Sequence, residues 1–154
     1  MVQAVAMPSF VLDPQLEADT YGLGRFKLCR VLLLNDARYP WLVLVPEKAN
    51  LVEVIDLEEA DQLQLMREIA MASRALKTLF DPDKLNIGAL GNKVRQLHVH
   101  VLARFVSDEA WPGPVWGVGD AQSYPPHMAG FSIDRLVAAL KPHGLQEGQE
   151  GQEG

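Results

Sequence analysis

Residues 95–104 read Arg95-Gln96-Leu97-His98-Val99-His100-Val101-Leu102-Ala103-Arg104, and the fold follows from how this stretch is read. In a β-strand side chains alternate, so Gln96, His98, His100 and Leu102 share one face and Leu97, Val99, Val101 and Ala103 the other. The apolar set then faces a core, and both imidazoles project side by side toward a groove, a partner or solvent. A helix would place residues two apart roughly 200° around the axis and split both sets. The β-branched content also favours a strand.

Working outward, Lys84 to Leu90 reads as a strand joined to the histidine strand by a tight turn at Gly91-Asn92, a hairpin. Asp56 is expected to open the one long helix, with Glu59 completing a capping box. Leu63, Met66, Ile69, Ala70, Ser73, Leu76 and Phe80 supply its apolar stripe, and Asp81-Pro82 ends it. Phe26 to Leu34 and Trp41 to Val45 are apolar runs separated by Asn35-Asp36 and Pro40, which predicts another hairpin. Asp13-Pro14 should cap a short helix ending near Tyr21-Gly22, and Ser132 a last one through Leu140, stopped by Pro142. The fold class expected is α+β, with an antiparallel sheet, one long helix and short terminal helices. Residues 1–145 form a single domain in this reading, and the Gln-Glu-Gly triplets of 146–154 a solvated low-complexity tail.

Composition narrows the function classes. The chain has 154 residues and a net charge of −6, which argues against nucleic-acid or anionic-membrane binding driven by bulk charge. A small anionic ligand needs only local donors. A lone cysteine, Cys29, cannot form an internal disulfide and suits a reducing compartment. No stretch approaches the ~20 apolar residues of a membrane span. The N-terminus lacks the basic segment of a signal peptide, so the cytoplasm is the expected location.

Two imidazoles on one strand face suit several chemistries. They form half of a metal site, but tetrahedral zinc needs three or four ligands, and neither His127, His143 nor Cys29 has ligand spacing; no metal or other cofactor is expected. They also suit a nucleophile with a neighbouring donor, or simply a solvent-facing surface. Gln96 lies on the same face with an amide donor and acceptor. Gly91 and Asn92 offer backbone amides to an anion, and Arg104 either pairs with a phosphate or is a solvated charge at the strand end. Trp111 and Trp116, in a proline-rich segment, either stack on a base or anchor their loop.

Gln-Leu-His-Val-His-Val-Leu, residues 96–102, resembles the histidine triad (HIT) motif His-φ-His-φ-His-φ-φ, where φ is apolar, with Gln96 at the first histidine. The resemblance covers roughly residues 26–104: Leu34-Asn35 ending a strand, Leu42-Val43-Leu44-Val45-Pro46 ending the next, the long helix, then Asn86 and Gly91-Asn92. The run Trp111-Pro-Gly-Pro-Val-Trp-Gly117 is similar to one in a bacterial HIT-like subgroup. The resemblance implies a HIT-like sheet of about five strands, a homodimer, and a nucleotide hydrolase or nucleotidyltransferase acting on a phosphoramidate, dinucleoside polyphosphate or other nucleotidyl conjugate. It implies that His98 attacks the α-phosphorus to give a nucleotidyl-histidine and that His100 hydrogen-bonds the phosphate or bridging atom. It further implies that Asn35 contacts ribose, and that Asn86 and Asn92 lie near phosphate. Trp41 stands where many family members carry histidine in Pro-Gly-His. That departure, with Gln96, motivates the alternative of a nucleotide-binding module with little or no catalysis.

Overall fold

The structure, a computed structural model, describes residues 8–148. Five strands form one antiparallel sheet: β1 (Thr20–Arg25), β2 (Cys29–Leu34), β3 (Trp41–Pro46), β4 (Lys84–Gly88) and β5 (Val99–Arg104), in the order β1-β2-β3-β5-β4. Helix α1 (Pro14–Asp19) precedes β1, α2 (Glu59–Phe80) links β3 to β4, and α3 (Pro126–Leu140) follows β5. Among the described residues no helix is long and apolar enough to cross a membrane.

The central strands read as near-continuous apolar runs because both sheet faces are covered. Val31, Leu33, Leu42, Leu44, Val99 and Val101 join one cluster with Leu65, Ile69 and Leu76 of α2 and Leu136 and Leu140 of α3. Leu32, Val43, Val45, Trp41 and Leu102 form a second cluster with Leu12, Leu16, Tyr39 and Val115. Each large aliphatic side chain so buried contributes roughly 1.5–3 kcal/mol. The face of β5 expected to be open is therefore largely roofed by Leu12, Leu16 and Tyr39 together with Val115 of the segment after it.

Several boundaries differ from expectation. Helix α1 is capped by Asp13, which accepts from Gln15 N–H at 2.8 Å, but it ends at Asp19 and Thr20 already starts β1. Asp56 does not cap α2. Its carboxylate accepts from Val52 N–H at 3.0 Å and Glu53 N–H at 2.8 Å in a 3-10 turn, and the helix begins at Glu59. The buried arc of α2 runs through Leu65, Ile69, Ala72 and Leu76, whereas Leu63 and Met66 are exposed. Leu63 lies about 120° around the axis from Ile69 at 100° per residue. The fully buried Glu68 sits on that arc because its carboxylate receives the N–H groups of Leu28 and Cys29 and the Gln64 amide.

Gly91-Asn92 is no tight turn: β4 stops at Gly88 and β5 starts at Val99, so 89–98 is a long connection and His98 comes just before the strand. Pro126 at the first helical position starts α3 well before Ser132. Gln146, assigned to the tail, bridges Arg25 through hydrogen bonds in both directions. Residues 149–154 of that tail lie outside the described residues.

Candidate active site

β5 and the residue before it deliver the two histidines to one place. His98 and His100 are 7% and 9% exposed, with ring centroids 5.0 Å apart. Both line a cavity of about 460 Å³ with Trp41, Leu34, Leu90, Val115 and Trp116, and Asp36, Arg38 and the Gly91-Asn92-Lys93 loop supply its polar lining. A second cavity, of about 320 Å³, reaches His98 from the side of Val52–Ile55 and Gln96.

Each ring is fixed through Nδ1. His98 Nδ1 lies 2.6 Å from the backbone oxygen of Gln96, and His100 Nδ1 accepts from the indole Nε1 of Trp41 at 2.9 Å. In both rings Nε2 is the nitrogen without a protein partner among the described residues. His100 is boxed by aromatic edges, with Trp41 at 5.6 Å and Trp116 at 5.5 Å. Burial, then the neighbouring His98, lowers its pKa to about 4. A lone pair on one ring beside a donor on the next can attack an electrophilic centre and hold its oxygen.

Trp116 reaches this position because Gly88, the cross-strand partner of His100, has no side chain; a Cβ there would meet the indole at 3.1 Å. The Trp116 segment is tied down by Arg38, which donates to Val118 O at 2.8 Å and pairs with Glu109 at 2.9 Å and Asp36 at 2.8 Å. Burial acts to raise the Asp36 carboxyl, but hydrogen bonds from Arg38 and Gln122 outweigh it and hold the group below the usual carboxylate value.

The other residues singled out by sequence have different surroundings. The side chain of Gln96 turns away from the histidines: its Oε1 accepts from Asp13 N–H at 2.8 Å and its Nε2 donates to Val11 O at 2.9 Å. Only its backbone carbonyl serves His98. Asn92 lines the larger cavity. Asn35 accepts from Tyr124 N–H at 2.8 Å.

Arg104 is 1% exposed and does not line the cavity; it donates to Asp108, Asn86 and Gly113 O, so both Arg104 and Asn86 are engaged inside the fold. Its guanidinium faces the Trp111 ring at 5.7 Å, which makes Trp111 a loop anchor. Sequence reasoning passed over Asp36 and Arg38, whose only signal was a charged pair at a hairpin mouth. It noted Trp41 as the start of an apolar run and, for the site, only as a missing histidine. Among the described residues no group of three or more histidine, cysteine or carboxylate side chains is placed to hold a metal.

The chain is similar in sequence and fold to known proteins. The family described as HIT domain matches residues 15–107. A histidine triad protein from Bradyrhizobium japonicum is 47% identical, over 86% of this chain and 99% of its own, with a TM-score of 0.83. One from Sinorhizobium meliloti 1021 is 45% identical, over 88% and 100%, with a TM-score of 0.83. One from Marinobacter aquaeolei VT8 is 39% identical, over 88% and 98%, with a TM-score of 0.85. No curated protein matches the chain. With a family match over more than half its length and a five-stranded sheet that superposes on these structures, the chain belongs to the histidine triad (HIT) family.

Proposed function

We propose that the protein is a nucleotide hydrolase or nucleotidyltransferase that acts at the α-phosphorus of a nucleotidyl conjugate, with His98 as nucleophile. Its family generally acts on nucleotide substrates. The observation that carries the reading is that His98, its Nδ1 held by Gln96 O, keeps Nε2 free in a cavity it shares with His100. Displacement at phosphorus needs a positioned nucleophile and donors on the equatorial oxygens, and His100 Nε2 with the Gly91-Asn92 loop supplies candidates. The apolar lining from Leu34, Leu90, Val115 and Trp116 suits a nucleoside.

The partner in this reading is a second copy of the chain. β4 lies at the sheet edge with Ile87 half exposed, and α2 leaves Leu63 and Met66 uncovered, surfaces that a symmetric dimer buries. No membrane or stable nucleic-acid partner is proposed, and the place of action is the cytoplasm.

The test is a panel of nucleotidyl conjugates with mass spectrometry of the quenched enzyme. A nucleotidyl adduct on His98 is expected, and His98→Ala should abolish turnover while nucleotide binding survives. Unchanged turnover in that variant removes the mechanism. The alternative, a nucleotide-binding module with little catalysis, is favoured by the Gln96 side chain, which leaves His98 without a side-chain partner. It predicts nucleotide binding with no adduct.

A further inference from the structure

The two imidazoles differ in their hydrogen-bond partners, and the difference fixes where their protons sit. A carbonyl oxygen only accepts, so the contact with Gln96 O puts the His98 proton on Nδ1 and leaves a lone pair on Nε2. An indole N–H only donates, so the contact from Trp41 demands a lone pair on His100 Nδ1. The proton of neutral His100 therefore lies on Nε2. Protonating Nδ1 as well would set N–H against N–H inside an aromatic box. Burial and His98 act in the same sense. The charged groups around the cavity are Arg38, already paired with Asp36, and Lys93 on the facing loop.

We propose that Trp41 is a positioning residue that locks His100 as a neutral Nε2–H donor, so that the site favours nucleotidyl conjugates whose leaving group departs as a stable oxyanion, a phosphate or polyphosphate, over those whose leaving nitrogen must be protonated. This rests on the catalytic reading given above. The His98 Nε2 lone pair forms the N–P bond while the P–O bond to the leaving oxygen breaks, and that oxygen carries the electron pair away. Water then forms a new O–P bond, the N–P pair returns to Nε2, and the water's proton passes to solvent. Throughout, His100 donates a hydrogen bond and keeps its proton. A neutral imidazole stabilises developing negative charge in this way without serving as an acid. An amine leaving group, by contrast, needs a proton delivered to nitrogen.

Nitrogen-15 spectra of histidine-labelled full-length protein test the lock without any substrate. The expected pattern is an Nε2–H tautomer for His100 and Nδ1–H for His98, with His100 still neutral well below the ordinary histidine pKa of about 6.5. An Nδ1–H tautomer at His100, or titration near the ordinary value, overturns the proposal. Turnover of a phosphate-linked conjugate should exceed that of the amine-linked conjugate of the same nucleoside by about 100-fold, the scale of a missing general acid. Trp41→Phe removes the indole donor while keeping an aromatic ring. It should narrow that ratio by about tenfold or more and move the acid limb of the pH profile toward neutrality, whereas loss of packing alone lowers both substrates alike. An unchanged ratio in the variant, or equal turnover in the wild type, overturns the proposal. Turnover without the tautomer pattern overturns this proposal and leaves the catalytic reading standing. The pattern without turnover of any conjugate removes the leaving-group preference together with the catalytic reading.

Discussion

The indole of Trp41 and the imidazole of His100 are fastened across two adjacent strands by a hydrogen bond of 2.9 Å. Trp41 pairs in register with Leu102, one alternate position along from His100, so the two side chains meet diagonally on the same face.

Burial, then the neighbouring His98, keeps this histidine neutral inside the fold, and folding stability should record it. Its pKa in the folded chain is about 4, against the ordinary 6.5, so between these values the unfolded chain binds a proton that the folded chain refuses. Stability is then unaffected by this group above about pH 6.5 and falls as pH drops toward 4, by roughly 3 kcal/mol in total. Urea midpoints compared between wild type and His100→Asn across this range are the measurement, and the variant is expected to lose that slope. The depressed carboxyls of Asp36 and Asp108 contribute their own loss further into acid.

Arg104 holds the loop from Phe105 to Gly113 to the sheet, and its removal leaves the nearly buried Asp108 carboxylate uncompensated. Arg104→Ala is expected to cost about 3–5 kcal/mol in denaturant unfolding. Nucleotide affinity of the folded fraction, measured by calorimetry, should stay nearly unchanged. A large affinity loss with normal stability would instead mark Arg104 as a phosphate ligand.

At Gly88 two effects oppose one another. Alanine in a strand is preferred over glycine by roughly 0.5–1 kcal/mol, but the new methyl meets the Trp116 indole at 3.1 Å, and overpacking costs about 1–3 kcal/mol. The clash is expected to win. Gly88→Ala should move Trp116 off His100, seen as a change in tryptophan fluorescence and a raised KM, while the chain remains folded.

Sedimentation of the wild type should give the mass of two chains. Ile87→Glu, which places a charge on the exposed side of the edge strand, is expected to give the mass of one. A single-chain mass for the wild type would remove the dimer.

Much of this was legible because the signals were local. The alternation of residues 97–103, the apolar runs around Leu33 and Val43, and Asp81-Pro82 each act within a few residues. The position of His98 just ahead of β5, the phase of α2 and the burial of Glu68 were not legible, since each depends on what another segment presents. Glu68 is polar by type, and the backbone N–H groups of the distant Leu28 and Cys29, with the Gln64 amide, make its burial favourable. Arg104 read equally well as a ligand or a surface charge until Asp108 and Asn86 closed on it. Trp41 read as an absence, because a hydrogen bond to a residue 59 positions away leaves no trace in spacing.

Gln96 carries one last implication. Its amide meets one backbone N–H and one backbone C=O of the segment before α1, a two-pronged clasp that needs a donor and an acceptor at fixed separation. A histidine at this position would undo that seam, so the leading stretch of the chain and the floor under His98 behave as a single mechanical unit.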